Sequence, residues 1–160
     1  MRVASVTVLL LAAATLPGCS GFSIGVRQDK EDREAFARAL AAKDAGSFFA
    51  AGELLRKDWT RLFVFRGGIA TQAVEDRIAI PFPQSGEATS AEASYLVFAD
   101  EEEVVSAFSY AGPTRLTPRC FLAERVPFTP ATELTLVAGG EGEPRKAPKL
   151  STVAEVDRCR

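Results

Sequence analysis

SYLVFA (94–99) and EVVSAFSY (103–110), separated by Asp100-Glu101-Glu102, are the two stretches that decide the fold. Both are rich in β-branched and aromatic residues, both are too short for a helix, and three acidic residues interrupt them where a turn is needed. They form the strongest hairpin signal in the chain. A hairpin needs further strands or a packed helix to be stable, so the neighbouring segments must supply both.

Upstream, DWTRLFVFR (58–66) holds Trp59, Leu62, Phe63, Val64 and Phe65 in a run that reads as a central strand. Gly67-Gly68 breaks it. Thr71 is placed to cap a helix reaching Ile78, with Glu75 and Asp76 in its early turns, Val74 and Ile78 facing inward, and Pro81 and Pro83 ending it. Further upstream, DKEDREAFARALAAK (29–43) is the clearest helix: acids come first, and Phe36 and Leu40 lie four apart beside Ala35, Ala39 and Ala42. Gly46 is a plausible stop. Residues 48–57 suggest a second short helix through Phe48, Ala51, Leu54 and Leu55, with Phe48-Phe49 buried at its start.

Downstream, residues 120–126 and TELTLVA (132–138) read as strands separated by Pro127 and Pro130. GGEGEPRKAPK (139–149) has the composition of a linker, and residues 151–157 form a last short element. No repeat at solenoid spacing occurs. The expected class is α+β: an antiparallel or mixed sheet of four to five strands with two to three helices packed on one face. The unit from Trp59 to Phe98 could instead make one parallel strand pair.

The chain of 160 residues contains no histidine, and its formal net charge is −2. Histidine-activated nucleophiles and histidine-based metal sites are thereby excluded, and the mildly acidic balance argues against nucleic acid as a partner. No G-x-S-x-G elbow surrounds any serine, and Gly139-Gly140-Glu141-Gly142 lacks the residues that complete a phosphate loop. The carboxylates of Asp100, Glu101, Glu102 and Glu103 read as a solvated turn, and Glu75 and Asp76 diverge by about 100° around a helix. No cofactor, metal ion or catalytic residue is expected. Trp59 beside Arg61 and Arg66 is the candidate binding surface, an aromatic face with cations that suits a sugar or peptide, although packing of the lone tryptophan in the core competes with it.

The amino terminus opens with Arg2, followed by the uncharged apolar run VASVTVLLLAAATL (3–16) and then Leu16-Pro17-Gly18-Cys19. The apolar run is too short to span a bilayer, which takes about 20 residues. This arrangement resembles the leader and lipobox of bacterial lipoproteins, with Pro17 where a small residue is usual. The resemblance implies a signal peptide over residues 1–18 that is removed and a Cys19 acylated with palmitate-type chains. Ser20 after the cysteine implies an address at the periplasmic face of the outer membrane. Residues 19–28 would then be a lipidated tether, residues 29–138 a single globular domain, and residues 139–160 a linker with a tied-back end. With Cys19 acylated, Cys120 and Cys159 remain as an even pair in an oxidising compartment, read as one disulfide, with free thiols or an intermolecular bridge as alternatives.

No closer family is identified. Ser85-Gly86-Glu87-Ala88-Thr89 begins like the Ser-Gly-x-x-Tyr loop of lysozyme-inhibitor lipoproteins but lacks the aromatic residue. The small lipoproteins of outer-membrane β-barrel assembly have a similar element order, but Met1 is the sole methionine and their glycine-methionine signature is missing. The expected function is a non-enzymatic binding or envelope-interaction domain, held to the bilayer through Cys19 and meeting an envelope protein or glycan. The alternatives are a histidine-independent carboxylate hydrolase acting on envelope glycans and a lysozyme-inhibitor-like or structural lipoprotein. Cys19→Ser is expected to release the protein from membranes on fractionation; unchanged membrane retention overturns the lipoprotein reading.

Overall fold

In the computed structural model, residues 27–82, 92–116, 127–138 and 149–152 are described. The leader, Cys19, Ser85-Gly86, the expected strand at 120–126, the linker at 139–148, Cys120 and Cys159 lie outside them. The hairpin that anchors the sequence reading is present: β3 (Ser94–Ala99) pairs antiparallel with β4 (Val104–Tyr110) in a register that runs from Ser94 opposite Tyr110 and shifts at Phe98/Ala99. β2 (Arg61–Arg66) lies antiparallel on the other side of β3. The hydrogen-bonding order is therefore β2-β3-β4, with β3 rather than β2 in the centre. The outer side of β2 carries an isolated antiparallel bridge, in which Leu62 and Phe128 exchange backbone hydrogen bonds of 2.8 and 2.9 Å. Because β2 and β3 are antiparallel, the alternative of a parallel pair across this unit does not occur.

β2 and β3 are apolar at successive positions, and a strand points successive side chains to opposite faces, so this sheet has two faces to bury. One face presents Leu62, Val64, Leu96, Phe98, Phe108 and Tyr110. It is covered by Phe36 and Leu40 of α1 (Lys30–Ala41) and by a second sheet. The other face presents Phe63, Phe65, Tyr95, Val97, Ala99 and Ala107, and is covered by Val74 and Ile78 of α2 (Thr71–Ile78) with Ile80 and Phe82. The two helices thus lie on opposite faces, which corrects the expectation of one helical face. α2 is entered from Ala70, so Thr71 is already a buried helical residue and not the cap. The helix stops at Ala79, which adopts a left-handed φ of 57° two positions before Pro81.

The second sheet corrects the expectation of a single sheet. Its order among the described residues is β1 (Phe48–Ala50), β6 (Glu133–Val137), β7 (Lys149–Thr152) and β5 (Arg115–Leu116), antiparallel except for the two-residue parallel pairing of β5 with β7. These strands contribute Phe49, Leu134, Leu136, Leu150 and Leu116 to the core, which makes them a cover for the first sheet rather than its extension. Lys149 and Ser151, expected in a linker and a terminal element, belong to β7, so the fold continues past residue 138.

The expected second helix is also replaced. Residues 48–50 form β1, and residues 51–53 form a short 3-10 turn. Gly52 approaches Pro130 so closely that an added Cβ would stand 3.2 Å from the proline Cβ, and its N–H bonds the Pro130 carbonyl at 2.9 Å. α1 ends at Ala41, ahead of Gly46, whose φ of 84° instead turns the chain into β1 while its N–H bonds Leu136 at 2.8 Å.

Phe36 joins the layers. It is fully buried, and its ring meets those of Phe98, Phe108 and Tyr110 at centroid distances of 6.4, 5.6 and 5.2 Å. Phe36→Ala is expected to lower unfolding stability by about 3–5 kcal/mol, and chemical denaturation followed by tryptophan fluorescence measures it.

Candidate functional site

The three residues expected to form a binding surface are dispersed. Trp59 is 4% exposed; its indole N–H donates to the Leu55 carbonyl at 3.3 Å, and its ring stands edge-on to Phe98 at 5.2 Å. Arg61 points to the opposite side of the sheet. Its guanidinium donates to the Asp100 carbonyl at 2.6 Å and lies 5.8 Å from the centre of the Phe63 ring, tying β2 to the hairpin turn. In that turn the Asp100 carboxylate accepts N–H bonds from Glu102 at 2.8 Å and Glu103 at 2.7 Å. Backbone bonds from Glu103 and Glu102 hold its pKa below the ordinary value. Arg66 ends the strand and lines an open depression with Gly67, Gly68 and Arg77. An offset of five residues puts Arg61 and Arg66 on opposite faces and about 17 Å apart, so no aromatic and cationic platform forms.

A polar cluster that sequence reading missed lies where α1 crosses β4. The Asp32 carboxylate accepts hydrogen bonds from Lys57 at 2.6 Å and Ser106 at 2.7 Å through the same oxygen. Burial works to raise the Asp32 pKa, but the Lys57 and Ser106 hydrogen bonds and the charges of Lys57 and Arg27 outweigh it and hold it below the ordinary carboxyl value. Ser106 has no exposed surface, so its hydroxyl serves the carboxylate and does not reach solvent. A signal for it existed: Ser106 alternates with Phe108 and Tyr110 on one face of β4, a polar residue at an apolar position that requires a partner.

Among the described residues no strand pairs with the outer side of β4, and residues 27 to 29 run along it. Arg27 donates to the carbonyls of Val104 at 2.8 Å and Val105 at 3.3 Å, and pairs with Asp29 at 2.9 Å. The Asp29 carboxylate accepts the Ala107 N–H at 2.8 Å while its own N–H donates to the Ala107 carbonyl at 3.0 Å. Gln28 accepts the Ser109 N–H at 2.9 Å and donates to the Ser109 hydroxyl at 2.7 Å. The Tyr95 hydroxyl donates to the Arg27 carbonyl at 3.1 Å. Arg27 and Gln28, expected in the tether, are thus fastened to the domain.

Past the other end of α1 the chain leaves an apolar side chain in water. Phe48 is 68% exposed, the one large apolar side chain so exposed among the described residues. Helical periodicity would bury Phe48 and Phe49 together, whereas strand pairing of Phe48 with Thr135 and Phe49 with Leu134 sends adjacent side chains to opposite faces. Phe48 borders a groove formed with Ala45, Leu136, Val137 and Ala138. Beside it Lys43 lies 4.8 Å from the centre of the Phe49 ring and pairs with Glu53, which also accepts the Ala50 N–H at 2.9 Å. Lys43, then the Ala50 backbone, keep the Glu53 carboxyl below its ordinary pKa. The β1 edge is therefore partly closed by charge, and the apolar feature left open is a side-chain face.

Among the described residues no group of three or more Cys, Asp and Glu could hold a metal ion, and no helix is long and apolar enough to cross a membrane. Comparison with protein-family models, with curated proteins and with solved structures finds no match.

The Asp32 cluster makes stability depend on pH in a defined direction. A carboxyl whose pKa is lower in the folded chain stabilises the fold above the unfolded pKa, and that contribution disappears as pH falls through the folded value. Asp32→Asn is expected to cost about 1–3 kcal/mol at pH 7, with the difference from the native chain shrinking below about pH 4, as read by denaturant titration across pH.

Proposed function

We propose that this chain is a lipid-anchored, non-enzymatic binding domain of the bacterial envelope that receives an apolar segment of an envelope protein in the groove beside Phe48. The observation that carries this reading is the 68% exposure of Phe48 at the margin of a mainly apolar groove lined by Ala45, Gly46, Thr135, Leu136, Val137 and Ala138. A large apolar side chain left in water beside an apolar groove marks an interaction site better than scattered surface residues do.

The anchor supports the same reading. Leu16-Pro17-Gly18-Cys19 places the acylated residue eight positions before Arg27, and residues 27 to 29 are clasped to β4 just ahead of α1. Phe48 lies by the far end of that helix, where Lys43 packs over Phe49. Twelve helical residues separate the two ends by about 18 Å. The groove therefore lies by the end of α1 opposite to the one that follows Arg27. The polar interior is engaged within the scaffold: the Asp32 carboxylate takes bonds from Lys57 and Ser106, and Arg61 bonds the Asp100 carbonyl. These groups hold elements together, which suits a binding scaffold.

Burying one phenylalanine side chain contributes about 1.5–3 kcal/mol, a tenfold or greater change in Kd. Site-specific photocrosslinking from the groove in membranes, compared between the native chain and Phe48→Ser, is the test. Loss of the crosslinked partner in Phe48→Ser, with membrane retention and stability unchanged, is expected. Recovery of the same partner at the same yield from both proteins, or of no specific partner from the native chain, overturns the proposal.

A further inference from the structure

Among the described residues β4 ends the order β2-β3-β4, and its sequence VVSAFSY carries no charge. Edge strands are commonly protected by charged side chains, and an uncharged seven-residue edge rich in β-formers is a template for pairing. Here the protecting charges come from another segment. Arg27 and Asp29 supply them, and residues 27 to 29 bond the Val104 and Val105 carbonyls, the Ala107 N–H and carbonyl, and the Ser109 N–H and hydroxyl.

Four of these, the Val105 carbonyl, the Ala107 N–H and carbonyl and the Ser109 N–H, are among the groups that a two-fold antiparallel pairing of β4 with itself would use. With Ala107 opposite Ala107 of a second copy, the two residues exchange N–H and carbonyl bonds, and Ser109 N–H meets the Val105 carbonyl across the axis. Residues 27 to 29 occupy this edge mostly through side chains; the Asp29 N–H to Ala107 carbonyl bond is a backbone pair, and the Arg27, Gln28 and Asp29 side chains make the others. A strand-like edge is thereby satisfied without a strand.

We infer that residues 27 to 29 are a latch over a self-complementary docking edge, and that release of the latch lets β4 pair with β4 of a second copy. The latched chain is closed to this partner, and a pull on the chain ahead of Arg27 acts first on these contacts. The inference does not depend on Phe48 or on lipidation.

The test is sedimentation equilibrium together with residue-resolved amide exchange on the full chain. The triple variant Arg27→Ala, Gln28→Ala, Asp29→Ala is expected to dimerise at concentrations where the native chain is monomeric. At dilutions where the variant is monomeric, its Ala107 and Ser109 amides should exchange on the order of tenfold faster than in the native chain. Adding Ser109→Lys, or Ala107→Pro at an N–H that faces the edge, should return the variant to monomer. A triple variant that stays monomeric overturns the inference. So does a dimer that persists with both Ser109→Lys and Ala107→Pro, since it would form through another surface. Circular dichroism of each variant establishes that the fold is kept.

Discussion

Strands β2 and β3 are apolar on both faces, and a sheet built from them is unstable until each face is covered by something that is itself apolar on one side. α2, with Ile80 and Phe82, closes the Phe63, Phe65, Tyr95 and Val97 face, and α1 with the second sheet closes the Leu62, Leu96, Phe98 and Phe108 face. The layer order follows from this. Elements with one apolar side can only be covers, and β6, with Leu134 and Leu136 inward, is such an element, as is β7 with Leu150. Phe36 occupies the junction because the α1 cover and the aromatic rows of β3 and β4 meet there.

Covering both faces leaves the polar groups near the layers to be satisfied inside the chain. Asp32 is drawn against Ser106 by the seating of α1 on β4, and Lys57 supplies the charge that makes the buried carboxylate tolerable. Burial, then the nearby Asp29 charge, push the Tyr95 hydroxyl pKa well up, and that hydroxyl is used to hold the Arg27 carbonyl. Two surface features are set apart along α1: residues 27 to 29 clasp β4 ahead of it, and the exposed Phe48 follows its other end.

The hairpin at residues 94–110, the long helix with Phe36 and Leu40, the helix to Ile78 and the strand within 132–138 were all legible, because each is specified by local pattern and turn chemistry. Residues 48–57 were misread because Phe48, Ala51, Leu54 and Leu55 fit a helical spacing as well as they fit a short strand and a turn. Contacts remote in sequence decided it: β1 pairs with β6, and Gly52 meets Pro130. Trp59, Arg61 and Arg66 look adjacent in sequence, yet the pleat separates their side chains. Asp32 read as an ordinary acid of a first helical turn, since its partners are 25 and 74 positions away.

By itself the amino-acid sequence determined the identity and length of most elements, the absence of histidine chemistry, and a leader resembling that of lipoproteins. It also contained the cause of the two-layered cover, in the unbroken apolar runs LFVF and YLVFA, since period-two geometry turns such runs into two buried faces. Only the tertiary structure decided which covers go to which face, that the strands divide between two sheets, and that Phe48 stays in water while Phe49 is buried. It also decided that residues 27 to 29 close the edge of β4. Each of these depends on contacts between residues far apart in the chain, and their energies are set by packing and hydrogen bonding that no local window of sequence contains.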